Sequence, residues 1–125
     1  DTRLRESDFI SLHARLTAEN VHMIGAAQFG LMKPTAYFIN TARAGLVDEN
    51  ALYQALANRQ IAGAAIDVFE TEPPGLNHPL VTLENITLTP HMAGGSRDAF
   101  FNTPNKLAAD MQKLFEGKPA KFLIS

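Results

Sequence analysis

The chain has 125 residues and a formal charge of −2, with 46% hydrophobic and 19% charged residues. These values suit one globular domain with a real core, and they give no sign of a surface for nucleic acid or anionic membranes. No apolar run is long enough to span a bilayer, and the absence of cysteine excludes disulfides and thiolate chemistry without fixing a compartment. A cytoplasmic location is the default expectation.

The first forty residues predict two strands with short helical pieces between them. Phe9–Leu12 alternates in polarity, as a strand does. Thr17 is a candidate helix cap, Gly25 ends that helix, and residues 26–32 predict a second short helical piece. A strand follows at residues 36–40.

The middle of the chain continues this alternation. Asp48 is a good N-cap for a helix whose apolar face consists of Leu52, Ala55 and Leu56. A small-residue strand, a proline-rich loop, a turn of helix and a further strand are predicted at residues 62–66, 71–79, 78–81 and 85–88.

Two helices are predicted near the C-terminal end. Ser96 is expected to cap a short helix that runs through Phe101. Thr103 is expected to cap a second helix, with Pro104 at its first position and Gly117 closing it. The apolar stripe of this second helix consists of Leu107, Ala108, Met111, Leu114 and Phe115.

Strands that alternate with helices predict an α/β fold, with a parallel sheet, right-handed crossovers and helices on both faces. About four strands are few for such a sheet, and a strand at Phe9–Leu12 would be an unpaired apolar edge, which natural proteins avoid. The chain also begins at Asp1 within a polar, helix-like run. We therefore expect more of the sheet in a missing segment or in another subunit.

Three of the predicted strands end in polar clusters, which supply the candidate active-site residues. Ligands bind beyond the carboxyl ends of the strands in an open parallel sheet, so these clusters would meet at one edge. His91 suits general acid–base work, although it could merely cap the end of its strand. Glu72 could fix the tautomer of His91; the alternatives are a solvated loop residue at Glu72 and Glu70 in the same role.

Arg43 and Asp67 are the other two candidates. Arg43 lies between small residues that would let a substrate approach, and its guanidinium matches a carboxylate; the alternative is a surface ion pair. Asp67 ends a hydrophobic strand, where an anion needs hydrogen-bond donors. Those donors would come either from a ligand amide or from backbone N–H groups of its own turn.

The remaining histidines have ordinary expected positions. His22 is predicted on a short helix at the surface, and His78 at the start of a helical turn. His13 would either line the cleft or fill it. No two histidines on one element have the spacing of metal ligands, so we predict no metal. The sequence also lacks G-x-S-x-G and the G-x-G-x-x-G turn that holds a pyrophosphate.

Together, these motifs resemble the carboxyl-terminal part of the NAD-binding domain of the D-isomer-specific 2-hydroxyacid dehydrogenases. The similar stretches follow in the expected order at residues 7–13, 32–34, 39–48, 61–73, 78–80 and 88–94. The resemblance implies the second half of a Rossmann-like sheet. Residues 1–117 would be a partial dinucleotide-binding domain, and residues 118–125 a tail that leads towards an absent substrate domain.

The resemblance also implies a chemistry. Arg43 would bind the substrate carboxylate, with His91 as the acid/base and Glu72 as its partner, in an oxidoreductase that transfers a hydride between NAD or NADP and a small 2-keto or 2-hydroxy acid. The positions that match cofactor-binding residues are Ala14, Thr41, Ala42, Arg43, Asp67, His91 and Gly94. We expect a homodimer or pairing with the missing half, no nucleic acid or membrane partner, and no turnover by these 125 residues alone.

The sequence departs from the family pattern in three ways, of which the largest is that the glycine-rich turn, the acidic residue that reads the ribose and the substrate domain are not among these residues. Arg15 stands where a proline or a small residue is usual, and residues 102–104 interrupt what is often a longer helix. The alternatives to an active dehydrogenase are a non-catalytic dinucleotide-binding relative, as in the corepressors that resemble this family, and an inactive truncated fragment.

Overall fold

The computed structural model describes residues 1–121, and the chain divides into two compact units, Asp1–Met92 and Ala93–Ser125. The first unit alternates α1 (Thr2–Glu6), β1 (Phe9–Leu12), α2 (Ala26–Phe29), β2 (Tyr37–Asn40), α3 (Glu49–Ala57), β3 (Gly63–Ile66) and β4 (Ile86–Leu88). Short 3₁₀ helices lie at Ala18–Asn20, Ala44–Leu46 and Pro79–Thr82. The second unit contains α4 (Arg97–Phe115).

The four strands form one parallel sheet in the order β1-β2-β3-β4, which confirms the predicted α/β fold. Because all four strands run parallel, their carboxyl ends lie along one edge of the sheet. β1 is an edge strand of this sheet, as predicted. On one sheet face, the rings of Phe9 and Tyr37 stack at 5.7 Å and remain 70% and 47% exposed.

The opposite sheet face packs against the helices and forms the core of the first unit. Phe38 on β2 meets Phe29 on α2 edge to face at 5.3 Å, and both rings are fully buried. The core also includes Leu46, Leu52, Leu56, Ile61, Ile66 and Leu80. Burial of each large aliphatic side chain contributes about 1.5–3 kcal/mol, so this face fixes the positions of the strands.

The N-cap predicted for α3 is confirmed, and β3 is a strand of small residues, as predicted. Asp48 Oδ1 accepts a hydrogen bond from the Ala51 N–H at 2.9 Å, which caps α3 and satisfies one of its open donors. In β3, a Cβ added to Gly63 would lie 2.9 Å from the Asn85 carbonyl and 3.0 Å from the Tyr37 ring. The small residue there allows a neighbouring strand to approach.

The prediction of two separate C-terminal helices is wrong, because α4 is one helix with Pro104 inside it. Ser96 does cap it, since its Oγ accepts from the Ala99 N–H at 3.0 Å, and Gly117 follows its end with a φ of 70°. Pro104 removes only one donor from a helix of 19 residues, and regular turns on both sides outweigh that local loss. Residues 102–104 therefore do not interrupt the helix.

The C-terminal unit exposes much of its apolar surface. The apolar stripe of α4 is exposed, with Leu107, Leu114 and Phe115 at 61%, 56% and 86%. Part of the predicted tail, residues 122–125, lies outside the described residues. Within residues 1–121, no helix combines the length and the apolar character needed to cross a membrane.

Candidate active site

Arg43, Glu72 and His91 line one cavity of about 460 Å³ beyond the carboxyl ends of the strands. Each residue comes from a different loop, after β2, β3 and β4 respectively. The parallel topology brings these loops together, although 48 positions of sequence separate the first residue from the last. The remaining lining residues are Leu16, Ala44, Gly45, Val68, Phe69 and Glu70.

His91 and Glu72 form a hydrogen-bonded pair. The Nδ1 atom of His91 lies 2.8 Å from Glu72 Oε2 and 3.0 Å from Oε1. This contact holds the pKa of Glu72 below its ordinary value, first through the His91 hydrogen bond and then through the Phe69 N–H, which donates to Glu72 Oε1 at 3.1 Å. An ionised Glu72 on Nδ1 leaves Nε2 as the ring nitrogen for proton exchange.

The backbone places the His91 ring by an uncommon conformation. Its φ is 52°, in the left-handed region that non-glycine residues rarely adopt. Asp67, which is 98% buried, supports this turn because its Oδ1 accepts from the Thr89 hydroxyl and from the Met92 N–H at 2.9 Å. The donors to Asp67 thus include two groups in the turn that follows β4. A contact between Asp67 and a ligand amide stays a prediction.

Arg43 is exposed, and its Nη1 donates to the Ala42 carbonyl at 2.6 Å. Among the salt bridges of residues 1–121 there is none to Arg43. Arg43 instead lines the cavity. That arrangement can accept a carboxylate.

The sequence analysis missed Asn40, which shapes the Arg43 loop. Its side chain is 99% buried at the end of β2. The Nδ2 group donates to the Arg43 carbonyl at 3.0 Å, and Oδ1 accepts from the Ala42 N–H at 3.0 Å. An asparagine that ends an apolar strand is the signal that could have identified it, since its amide can turn the following backbone.

Four of the predicted cofactor-binding residues line a second cavity, of about 490 Å³, after β1 and β2. They are Ala14, Thr41, Ala42 and Arg43, and His13, Arg15 and Leu16 complete the lining. His13 thus lines this cleft, with Nε2 3.0 Å from the Ser11 hydroxyl. Arg43 and Leu16 line both cavities, whereas Gly94 belongs to the second unit.

Glu70 is not the partner of His91, so that alternative is wrong. Glu70 Oε1 instead lies 3.1 Å from His22 Nε2. The expectation of a helical His22 is also wrong, because its φ of 52° places it in a turn. Its N–H donates to the Gly45 carbonyl at 2.8 Å, which joins this turn to the loop that follows Arg43.

A third pair of the same kind joins His78 to Glu49, with 3.2 Å between His78 Nε2 and Glu49 Oε2. His78 precedes the 3₁₀ helix Pro79–Thr82, as predicted. The other oxygen of Glu49 accepts from the Glu70 N–H at 2.8 Å. Glu49 was not predicted as a site residue, because its only sequence signal is its position directly after the helix cap Asp48.

No group of three or more histidine, cysteine or acidic side chains within residues 1–121 could hold a metal ion. The candidate site therefore consists of Arg43, the Glu72–His91 pair and the small-residue cavity beside them.

The fold and this arrangement agree with a known family. A family model described as the NAD-binding domain of the D-isomer-specific 2-hydroxyacid dehydrogenases matches residues 1–93. The chain belongs to this family.

Individual relatives are similar to this chain over its whole length. A D-3-phosphoglycerate dehydrogenase of Archaeoglobus fulgidus is 41% identical over 125 residues, which cover 100% of this chain and 24% of that protein. A glyoxylate reductase of Thermofilum pendens is 42% identical over 125 residues, which cover 100% of this chain and 37% of that enzyme.

Solved structures agree as well. The crystal structure of D-lactate dehydrogenase with NAD⁺ from Lactobacillus jensenii matches with a TM-score of 0.90 and 34% identity, over 99% of this chain and 41% of that one. An acyclic imino acid reductase in complex with NADPH and D-Arg matches with a TM-score of 0.85 and 32% identity, over 97% of this chain and 38% of that one. The chain thus spans less than half the length of each of these relatives.

Proposed function

We propose that this chain supplies the catalytic half of the dinucleotide-binding domain of a D-2-hydroxyacid dehydrogenase. The reaction is reversible hydride transfer between NAD or NADP and a small 2-hydroxy or 2-keto acid. The observation that supports this proposal most is the shared cavity of Arg43, Glu72 and His91. These are the groups needed to bind a carboxylate and to move a proton at the neighbouring carbon–oxygen bond.

Arg43 binds the substrate carboxylate through its guanidinium fork and orients the adjacent carbonyl. In reduction, His91 is an imidazolium and gives the Nε2 proton to the ketone oxygen. In oxidation, the neutral ring takes the proton from the hydroxyl at the same atom. The Glu72 carboxylate remains on Nδ1 in both directions, where it stabilises the imidazolium and excludes the wrong tautomer.

The residues that line the second cavity fit the nicotinamide end of a dinucleotide. Ala14 and Ala42 leave room against the backbone, and Asn40 fixes the loop that contains Thr41 and Ala42. The bound cofactor supplies or accepts the hydride. Asp67 and Gly94 stay proposed cofactor contacts, and the residues that would select NAD or NADP are not among the motifs of this sequence.

The assembly and the location are also proposals. An apolar edge strand such as β1 favours pairing with further sheet or with a second copy in a dimer. A cytoplasmic location fits an enzyme that uses the cellular nicotinamide pool.

A chimera tests the proposed function. Residues 1–125 replace the matching segment of the Thermofilum pendens glyoxylate reductase, and NADH oxidation is followed with glyoxylate. We expect turnover in the chimera, and its loss in His91→Asn with NADH binding retained by fluorescence. Asparagine is the suitable replacement because it tolerates the left-handed backbone at this position.

Two results would contradict this proposal. One is a His91→Asn chimera that turns over glyoxylate like the unsubstituted one. The other is a chimera that binds NADH and has no turnover while the parent enzyme is active, which would favour a non-catalytic dinucleotide-binding relative.

A further inference from the structure

Three histidine–glutamate pairs surround the β3–β4 loop, which we define as residues 67–78. Two glutamates of the loop, Glu70 and Glu72, contact His22 and His91. A histidine at the end of the loop, His78, contacts Glu49 on α3. Only the contact between Glu72 and His91 has a role in the proposed reaction. The His22–Glu70 and His78–Glu49 contacts lie outside that reaction.

Glu49 is the residue that joins the loop to the core. Its side chain is 17% exposed, and its two oxygens accept from two places in the loop, the Glu70 N–H at 2.8 Å and the His78 ring at 3.2 Å. Glu49 itself is fixed, because it begins α3, which Asp48 caps and whose buried face is part of the core.

The loop between these two contacts includes Glu72. Glu70 is two residues from Glu72, and Glu72 is tied back to the Phe69 N–H at 3.1 Å. Phe69 is buried, and its ring meets the His78 ring edge to face at 5.7 Å. A displacement of the Glu70 backbone would therefore move the residue that holds Nδ1 of His91.

We propose that Glu49 is a positioning residue that holds the β3–β4 loop so that Glu72 keeps His91 in the Nδ1–H tautomer. Glu49 touches neither the ring of His91 nor the cavity. It acts through the Glu70 N–H and the His78 ring on the loop backbone. The importance of this tautomer for catalysis rests on the proposed function. The effect of Glu49 on the tautomer can be measured whether or not the chain is part of an active enzyme.

The test measures the tautomer of His91 directly. Long-range ¹H–¹⁵N NMR spectra of the 125-residue chain at about pH 8, where histidine is mostly neutral, give the ratio of the two ring forms. Glu72→Ala sets the reference for a lost contact. We expect Glu49→Ala to shift the ratio towards the Nε2–H form by more than half of the Glu72→Ala shift.

Two further variants make the comparison specific. Glu49→Gln keeps one oxygen that can accept from the Glu70 N–H, so we expect its ratio to lie nearer to that of the wild type. Glu84→Ala removes an exposed carboxylate before β4, at the opposite end of the sheet, and should leave the ratio unchanged. If Glu49→Ala does not fold, Glu49→Asp takes its place, because it keeps the charge and withdraws the oxygens from the loop.

A Glu49→Ala chain that loses thermal stability and keeps the wild-type tautomer ratio would overturn the inference, as would an equal shift in Glu84→Ala. If the Glu49 variants shift the tautomer and the chimera has no turnover, only the proposed function fails. If the chimera is active and the tautomer does not respond to Glu49, only the positioning role fails.

Discussion

The Glu72–His91 and Glu49–His78 pairs use the same two chemical groups in different surroundings. The first pair is open, with side-chain exposures of 38% for Glu72 and 50% for His91. The second is largely enclosed, with exposures of 17% for Glu49 and 18% for His78. An open pair can meet a substrate but stabilises the fold little, because water competes for both partners. An enclosed pair contributes more to stability, because breaking it leaves poorly solvated polar atoms without their partners.

The difference shows why a histidine–glutamate contact alone does not identify a catalytic residue. His91 lies in a strained turn beside a cavity that also includes Arg43. His78 precedes a 3₁₀ helix, and its Nδ1 is buried without a hydrogen-bond partner within the described residues. Glu49 and His78 also line a cavity, of about 260 Å³, so a cavity alone does not separate the two pairs. The greater exposure of Glu72 and His91 and the presence of Arg43 at the same cavity separate the proposed catalytic pair from the structural one.

The largest expected effect is a loss of catalytic turnover when the open Glu72–His91 pair is broken. In the chimera, Glu72→Ala should lower kcat by roughly 10²-fold, because the acid–base contribution of His91 depends on the carboxylate at Nδ1. The melting temperature should change little, since both side chains are well exposed. Steady-state kinetics and thermal melts of the same preparation check this. A large fall in the melting temperature with unchanged kcat would show that Glu72 is structural.

The next largest expected effect is a loss of folding stability when the enclosed Glu49–His78 pair is broken. Glu49→Ala should lower the free energy of unfolding of the 125-residue chain by about 1–3 kcal/mol, because it leaves the Glu70 N–H and the His78 ring without their acceptor. Urea titration measures the loss, with Glu84→Ala as the control for removal of an exposed carboxylate. Equal losses in the two variants would contradict the contrast between the enclosed pair and an exposed acid.

The sequence predicts the strands and the shared edge well, since short apolar segments such as residues 36–40 and 62–66 are separated by clear caps and loops. Parallel topology then places Arg43 and His91 at the same cavity. Contacts between side chains and distant backbone were not predicted. Glu49 lies 21 residues from its donor at Glu70, and no local pattern records that bond.

Two local rules also gave wrong predictions for physical reasons. Pro104 was expected to begin a helix, but the turns on both sides of it are regular enough to absorb one missing donor. His22 was expected on a helix, whereas the hydrogen bond from its N–H to the Gly45 carbonyl, in a distant loop, holds it in a left-handed turn. A tertiary contact outweighed local propensity at His22, whereas the continuity of the helix outweighed it at Pro104.

The smallest expected effect is a change in the pKa of Glu72, which His91 lowers from an ordinary value of 4.5. A carboxyl group with a lowered folded pKa adds stability above the ordinary value, and this stability is lost as the pH falls through the lowered one. His91→Gly removes the ring and accepts the left-handed backbone, so the pKa of Glu72 should rise towards 4.5, while the Phe69 N–H keeps part of the shift. Carboxyl ¹³C NMR titration gives the pKa of Glu72 in the wild type and in His91→Gly.

Glu19 is the internal control, because the Thr17 hydroxyl lowers its pKa and His91 has no part in that contact. Equal changes at Glu19 and Glu72 would point to a global change in the fold and would remove the evidence for a specific Glu72–His91 pair in solution.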